Sequence, residues 1–171
     1  EQMSVTDMVK ATVVASANDA AVALAEAVSG TEDEFVRQMN EKAKALGMEN
    51  TVFKNCNGLD EEGHLTTAYD VALMSCELIK HDEIFEFTSI WMDELRGGKT
   101  QLVNTNKLLK SYNGITGLKT GTTSQAGSCI SATAERDGLS LVAVVLGSET
   151  GTDRFKAAAT LLDYGFANYK K

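Results

Sequence analysis

The stretch Ile115-Thr-Gly-Leu-Lys-Thr-Gly-Thr-Thr123 is a β-branched run that carries one lysine between two glycines. β-Branched residues favour an extended strand, and Gly117 and Gly121 allow another backbone or a ligand to approach closely because they have no Cβ. We interpret this stretch as an edge strand beside an active site, in which Lys119 and the threonine hydroxyls face a bound acyl group. Taken alone, a Lys-Thr-Gly triplet also fits an ordinary solvated edge.

Length and composition indicate one globular domain. The chain has 171 residues, of which 43% are hydrophobic, and this is enough for a core. Sixteen basic and 24 acidic residues give a net charge of -8 without a basic stripe, which argues against a nucleic acid partner. No apolar run has the roughly 18 residues of a bilayer span, and the charged opening Glu1 to Lys10 is not a signal peptide. Because the chain starts with Glu1, we expect it to be an excised or processed piece.

The cysteines give no sign of a metal or redox site. Cys56, Cys76 and Cys129 are widely spaced, form no Cys-x-x-Cys pair, and are accompanied by only two histidines. We expect three buried free thiols, and neither a zinc site nor a disulfide framework. Nothing in the sequence calls for a cofactor.

Helical periodicity dominates the first half of the chain. A first helix is predicted to run to about Ala15, where the polar run Ser16-Ala17-Asn18-Asp19 interrupts an alanine-rich apolar stretch. In a continuous helix Ser16 and Asn18 would point in different directions, whereas in a turn between two helices both can face one cleft. The alternative is that Asn18 or Asp19 only caps the next helix.

Four more helical segments and one long loop follow. Their predicted positions are a helix over 20–28, a helix from Thr31 to a stop at Gly47, an irregular segment over 48–67 with a turn at 55–58, a helix capped by Thr66 or Thr67, and a helical turn over 82–87. A loop as long as 48–67 usually has a function or a packing role.

From residue 88 the pattern changes to strands. The predicted strands are a hairpin of 88–94 and 99–105 around Gly97-Gly98, then 115–121, 128–136 and 139–147, with a type I′ turn at Asp137-Gly138. Because 139–147 is apolar nearly throughout, we predict it to be the central strand. A closing helix capped by Thr152 should pack on the sheet. The expected class is α+β: a helical part over about 1–87, and a three-stranded antiparallel meander with a C-terminal helix within 88–171.

A Ser-x-Asn turn followed about a hundred residues later by Lys-Thr-Gly on a strand is one constellation of serine acyl transfer. At these residues the chain resembles the penicillin-binding D-alanyl-D-alanine carboxypeptidases, a family of bacterial serine hydrolases with a β-lactamase-like fold. The resemblance covers essentially the whole chain, and its most specific stretches are 13–21, 57–68, 104–109 and 117–127.

The resemblance implies a role for each polar residue of the two motifs. Ser16 would relay a proton toward the leaving amine, and the Asn18 amide would hold a substrate carbonyl. Lys119 would supply positive potential and a hydrogen bond opposite the nucleophile. Thr120 would help to bind the terminal carboxylate of the substrate beside Gly121.

Two further groups complete the implied site. The Thr122 backbone N–H would form part of the oxyanion hole. Arg154, thirty-five positions after Lys119, falls where the family has a carboxylate-binding arginine. A guanidinium fork suits a carboxylate, although a lone arginine at a helix start also fits a surface ion pair.

The family's remaining motif is Ser-x-x-Lys, which supplies the nucleophile and its base and should precede Ser16. The only serine there, Ser4, has Asp7 three residues later. We therefore expect the nucleophile, the amino-terminal strands and the core helix to lie outside these residues, so that the chain alone is inactive. A homo-oligomer or the missing amino-terminal segment is expected to cover the apolar surface left exposed.

The resemblance also implies a substrate and a location. The substrate would be a peptidoglycan stem peptide ending in D-Ala-D-Ala, with β-lactams as inhibitors, in a secreted or membrane-associated protein of the cell envelope that acts in wall synthesis and cell shape. A serine β-lactamase is one alternative, although the run Glu62-Gly-His-Leu65 ends in Thr66 where that class has asparagine. A non-catalytic fragment that binds wall peptide or a partner is the other, because the chain lacks its own nucleophile.

Overall fold

The computed structural model describes residues 1–171. The α-helices are α1 (Val5–Val14), α2 (Asn18–Ser29), α3 (Glu32–Ala45), α4 (Ala68–Leu78), α5 (Phe85–Thr88) and α6 (Gly151–Asn168). The strands are β1 (Met92–Leu95), β2 (Thr100–Val103), β3 (Ile115–Thr123), β4 (Gly127–Arg136) and β5 (Leu139–Ser148). Short 3-10 helices occupy Asp82–Ile84 and Lys107–Lys110. The mixture of helices and antiparallel strands confirms the α+β class. No helix combines the length and the apolar character that a bilayer crossing requires.

Side-chain oxygens cap most of the helices at their amino ends. Two caps, Thr31 and Thr67, are among those that the sequence predicts, and Ser4 caps α1 by accepting the Asp7 amide. The prediction for α6 was wrong: Thr150 accepts the amide of Asp153 at 3.1 Å, and Thr152 lies inside the helix. A cap must sit one residue before the first helical residue, and α6 begins at Gly151.

The main sheet has the antiparallel order β3-β4-β5. Asp137 and Gly138 have φ values of 51° and 76°, which confirms the type I′ turn. The prediction that 139–147 is the central strand was wrong, because β4 occupies the centre and β5 an edge. The strand is apolar on both sides because α4 and α6 both pack against it.

The two faces of the sheet differ in chemistry. The face that meets α6 is apolar, and its buried cluster consists of Leu108, Ile130, Ala132, Ala134, Ala143, Ala158 and Leu162. On the opposite face Ser131 of β4 shares a hydrogen bond with Ser75 of α4, with 2.7 Å between the two hydroxyl oxygens. Burial of a side chain such as Leu162 stabilises the fold by about 1.5 to 3 kcal/mol, so the α6 face holds this half together.

The β1–β2 hairpin forms a separate two-stranded sheet that packs on the helical part. Its Leu95 and Leu102 join Ala11, Val14 and Ala20 in one buried cluster. The expected start of β1 at residue 88 was wrong, because α5 continues to Thr88. The packing places the end of α1 beside the segment that leaves the hairpin toward β3.

The long segment between α3 and α4 is irregular, as expected. A single bridge joins Val52 and Leu65, and the buried Asp70 carboxylate accepts the amide of Asn50 at 2.9 Å. The expectation of three buried thiols holds only in part. Cys76 is exposed on α4, where its neighbour Ser75 makes the contact to the sheet, whereas the other two cysteines are half-buried.

Candidate active site

A turn between α1 and α2 presents the first two candidate residues. Helix α1 ends at Val14 and α2 begins at Asn18, which confirms the predicted break. Ser16 has φ 59°, a left-handed conformation that is uncommon for a residue other than glycine and that turns the chain sharply. Both Ser16 and Asn18 are exposed, and the Asn18 side chain makes no hydrogen bond within the chain.

Lys119 reaches this turn from strand β3. Its Nζ donates a hydrogen bond of 2.8 Å to Ser16 Oγ and a second of 2.8 Å to the Thr120 carbonyl. The two side chains come from positions 103 residues apart. Burial, followed by the charge of Arg154, lowers the pKa of Lys119 to about 8. A lysine in this state can hold the serine hydroxyl in place and can exchange a proton with it near neutral pH.

Thr105 links the turn and the strand. Its amide donates to the Val14 carbonyl at 3.3 Å, and its hydroxyl accepts from Thr120 Oγ1 at 2.6 Å. Thr120 is buried, and because side chains alternate along a strand, its hydroxyl lies on the side opposite Lys119. Thr105 could not be singled out from the sequence, since a threonine after a strand carries no signal of a tertiary contact.

Arg154 extends from the first turn of α6 to the open edge of the sheet. Its Nη1 donates to the Gly121 carbonyl at 2.8 Å, to Thr122 Oγ1 at 2.9 Å and to the Cys129 carbonyl at 3.2 Å. Its Nε is buried and has no partner. Burial lowers the pKa of the guanidinium. A cation in the first helical turn opposes the helix dipole, and these contacts to β3 and β4 offset that cost.

Strand β3 is an edge strand, and its last part is open to solvent. An ideal Cβ built on Gly121 meets no atom within 4 Å, and Thr122 is exposed. Gly117 is enclosed instead: a Cβ there would lie 2.6 Å from the Thr88 Cβ. The first glycine therefore serves packing between α5 and β3, and only the second leaves room for a ligand.

Asp60 of the long loop between α3 and α4 accepts hydrogen bonds from the turn that follows β3. Asp60 Oδ2 accepts from Ser124 Oγ at 2.9 Å and from the Gln125 amide at 3.2 Å. The sequence predicts only irregular chain for this loop and gives Asp60 no role. The dense turn chemistry at 55–58, two residues before the acidic Asp60, is the signal that would have found this contact.

The structure thus places the candidate residues in two groups along one strand. Ser16 and Lys119 are in direct contact, and Gly121, Thr122 and Arg154 form the second group. Thr120 lies between them with its hydroxyl directed at Thr105, and Asn18 lies two residues from Ser16 without a hydrogen bond to the others. No three His, Cys, Asp or Glu side chains lie close enough to hold a metal ion. The arrangement combines a lysine-bound hydroxyl with two cations beside an open strand edge.

Comparison with protein families gives a match over most of the chain. Residues 1–150 match the model of the family described as D-alanyl-D-alanine carboxypeptidase. The chain is 47% identical to D-alanyl-D-alanine carboxypeptidase DacF of Bacillus subtilis, over 99% of this chain and 44% of that protein. It is 41% identical to DacC of Escherichia coli, over 97% of this chain and 42% of that protein. The chain therefore spans less than half the length of these curated relatives.

Solved structures with the same fold include penicillin-binding proteins. Penicillin-binding protein D2 of Listeria monocytogenes, in its cefotaxime-bound form, superposes with a TM-score of 0.88 and 40% identity, over 96% of this chain and 67% of that chain. Penicillin-binding protein 5 of Haemophilus influenzae superposes with a TM-score of 0.94 and 35% identity, over 99% and 50%. These similarities confirm the β-lactamase-like fold.

Proposed function

The chain belongs to the D-alanyl-D-alanine carboxypeptidase family, and on that basis we propose that it is part of a penicillin-sensitive serine carboxypeptidase. The enzyme would remove the terminal D-Ala from peptidoglycan stem peptides through an acyl-enzyme intermediate. We place it outside the cytoplasm, in the bacterial cell envelope, where that substrate lies. The 40% identical relative from Listeria in a cefotaxime-bound form supports β-lactams as its inhibitors.

The contact between Ser16 and Lys119 is the single observation that carries this proposal. A 2.8 Å hydrogen bond holds the serine hydroxyl against a lysine with a lowered pKa, beside an open strand edge. In the proposed mechanism Ser16 takes up the proton released by the attacking nucleophile and passes its own hydroxyl proton to the leaving D-alanine, and Lys119 stabilises the charge that develops on this hydroxyl. Asn18, two residues from Ser16 and free of other hydrogen bonds, binds a substrate carbonyl.

The residues at the other end of strand β3 would bind the substrate's carboxylate. Arg154 holds Thr122 Oγ1 at 2.9 Å, and the buried Thr120 supports the strand between this pair and Lys119. A charge-assisted hydrogen bond to a carboxylate is stronger than one to a neutral group, so this pair selects a free terminal acid. Gly121 gives the peptide access to the backbone, and the Thr122 N–H is the proposed oxyanion donor.

The nucleophile must come from polypeptide outside these 171 residues, because none of their serines is followed by a lysine three positions later. An apolar groove of about 620 Å³ between α1, α2 and the β1–β2 hairpin opens toward solvent. We infer that a segment bearing the Ser-x-x-Lys motif completes the site and covers apolar surface of this kind. The chain alone is then inactive.

Two measurements test this function. The full parent protein should release D-alanine from a peptide ending in D-Ala-D-Ala, and Lys119→Ala should lower kcat/KM about a hundredfold or more, whereas Lys107→Ala, at an exposed site, should not. Rapid hydrolysis of penicillin without release of D-alanine would indicate a β-lactamase instead. Intact-mass analysis of the 171-residue chain with labelled penicillin should show no adduct, and an adduct on Ser4 or Ser16 would contradict the external nucleophile.

A further inference from the structure

The loop over 55–60 is fixed in shape by its own asparagine side chains. Asn55 Oδ1 accepts the Gly58 amide at 2.8 Å, and Asn57 Oδ1 accepts the Leu59 amide at 3.1 Å. Asn55 Nδ2 also donates to the Leu59 carbonyl at 3.1 Å. Gly58 has φ 84°, which glycine adopts without strain. These bonds leave the next residue, Asp60, in a defined position at the surface.

Apart from Asp60, the turn that follows β3 is held by two side-chain hydrogen bonds, both from within its own hairpin: Cys129 Sγ donates to the Ala126 carbonyl at 3.4 Å, and Thr123 Oγ1 accepts the Ala126 amide at 2.9 Å. Residues 124–126 are all exposed and connect β3 to β4. From outside the hairpin, Asp60 Oδ2 binds both Ser124 Oγ and the Gln125 amide. A charged acceptor makes these bonds stronger than neutral ones.

This turn directly follows the open end of β3. Arg154 binds Gly121 and Thr122 from the α6 side of the strand, and Asp60 binds Ser124 and Gln125 from the loop of the helical part. The backbone of Thr122 therefore lies between two fixed points. If one of them is removed, the strand end can shift, and displacement of a catalytic group by about 1 Å can cost on the order of a hundredfold in rate.

We propose that Asp60 is a positioning residue that fixes the end of β3, and with it the Thr122 N–H, from the opposite part of the domain. It acts through Ser124 and Gln125 and does not touch the substrate. This inference rests on the proposed function, in which the Thr122 N–H stabilises the oxyanion. It also gives the turn at 55–58 a role, which is to hold Asp60 against the turn that follows β3.

The chain offers a matched set of variants. Asp60→Ala removes the acceptor of both bonds. Asp60→Asn keeps one carbonyl oxygen, which can take the place of Oδ2 because both donors meet that single atom. Glu62→Ala removes a carboxylate from the same loop that makes no hydrogen bond, and it controls for the loss of charge.

Two readouts separate positioning from a general loss of structure. In the 171-residue chain, Asp60→Ala should raise the hydrogen exchange rate of the Gln125 amide about tenfold without a change in melting temperature. In the parent, Asp60→Ala should slow acylation by penicillin about tenfold or more and leave the preceding binding constant unchanged. Asp60→Asn should restore most of the wild-type exchange rate and acylation rate, and Glu62→Ala should match the wild type in both.

The failures of the two ideas are distinguishable. Unchanged exchange at Gln125 in Asp60→Ala overturns the positioning role even if the parent is an active enzyme. Equal acylation rates for Asp60→Ala and Glu62→Ala would also overturn the positioning role. A wild-type parent that forms no penicillin adduct overturns the proposed function, and the acylation effect with it. A loss in binding with unchanged acylation would instead make Asp60 part of the substrate site and would also overturn the proposal.

Discussion

Lys119 and Arg154 lie on opposite faces of strand β3, and neither forms a salt bridge. Lys119 donates to Ser16 Oγ and a carbonyl, and Arg154 donates to Thr122 Oγ1 and two carbonyls. Burial lowers the pKa of both cations, so each would be stabilised by an added negative charge. In a chain with a net charge of -8, two cations at this strand therefore have no carboxylate partner.

The lowered pKa of Lys119 predicts a specific dependence of stability on pH. The group has a pKa of about 8 in the folded chain against an ordinary value of 10.5. Between these values the unfolded chain binds more protons than the folded one, so the free energy of unfolding rises with pH. Relative to that of Lys119→Met, the free energy of unfolding of the wild type should rise by about 1 to 3 kcal/mol between pH 7.5 and pH 10.5. Urea unfolding of both proteins at the two pH values measures this, and an identical difference at both would contradict the lowered pKa.

Substitution of Arg154 tests how the substrate carboxylate is read in the parent protein. Arg154→Ala should lower kcat/KM for the free peptide acid roughly thirty- to a thousand-fold, which corresponds to a loss of about 2 to 4 kcal/mol of transition-state stabilisation. The amide-capped peptide has no carboxylate to lose and should be nearly unaffected. Arg37→Ala, at an exposed arginine of α3, is the control. Equal losses for both peptides would mean that Arg154 only supports the strand.

The two glycines of β3 should differ in their tolerance of a side chain. Gly117→Ala places a Cβ 2.6 Å from the Cβ of Thr88 at φ 147°, and it should destabilise the chain by about 2 to 4 kcal/mol. Gly121→Ala has open space and an ordinary φ, so its cost should stay below about 1 kcal/mol. Thermal unfolding of the two variants provides the comparison. Similar melting temperatures would show that α5 does not pack against the strand as described.

The buried hydroxyl pair between α4 and β4 should act as a unit. Ser131→Ala removes the partner of Ser75 Oγ, which still donates to the Val71 carbonyl at 2.7 Å, so we expect a loss of about 1 kcal/mol. The double variant with Ser75→Ala should cost less than the sum of the two single changes by about 0.5 kcal/mol or more. Denaturant unfolding of the four proteins measures this coupling, and strict additivity would argue against the hydrogen bond.

Features set by local chemistry could be predicted from the sequence. The caps at Thr31 and Thr67, the type I′ turn at Asp137-Gly138 and the break around Ser16 follow from side-chain and backbone preferences within a few residues. Lys119 was identified because its motif joins a charge to glycines on a strand. The resemblance to a family put Lys119 and Ser16 in one site, but their 2.8 Å contact was not predicted.

Features set by tertiary contacts could not be predicted in this way. The order β3-β4-β5 depends on which elements cover each strand, and an apolar run such as 139–147 is compatible with a centre or an edge. The hydrogen bonds of Thr105 and Asp60 join residues 15 and 64 positions apart, and no local pattern encodes such a distance. The residues that hold the site together were therefore harder to find than the residues that form it.

Because the backbone of Ser16 is left-handed, thermostability and the proposed function favour different residues at this position. A serine at φ 59° costs roughly 1 kcal/mol relative to the right-handed region, and glycine or asparagine tolerates this conformation better. A library selected only for resistance to heat would therefore accept Ser16→Gly or Ser16→Asn readily, although both variants remove the hydroxyl that Lys119 holds. If laboratory evolution retains serine at position 16, the selection has acted on catalytic activity. If serine is replaced, the selection has acted on folding stability alone.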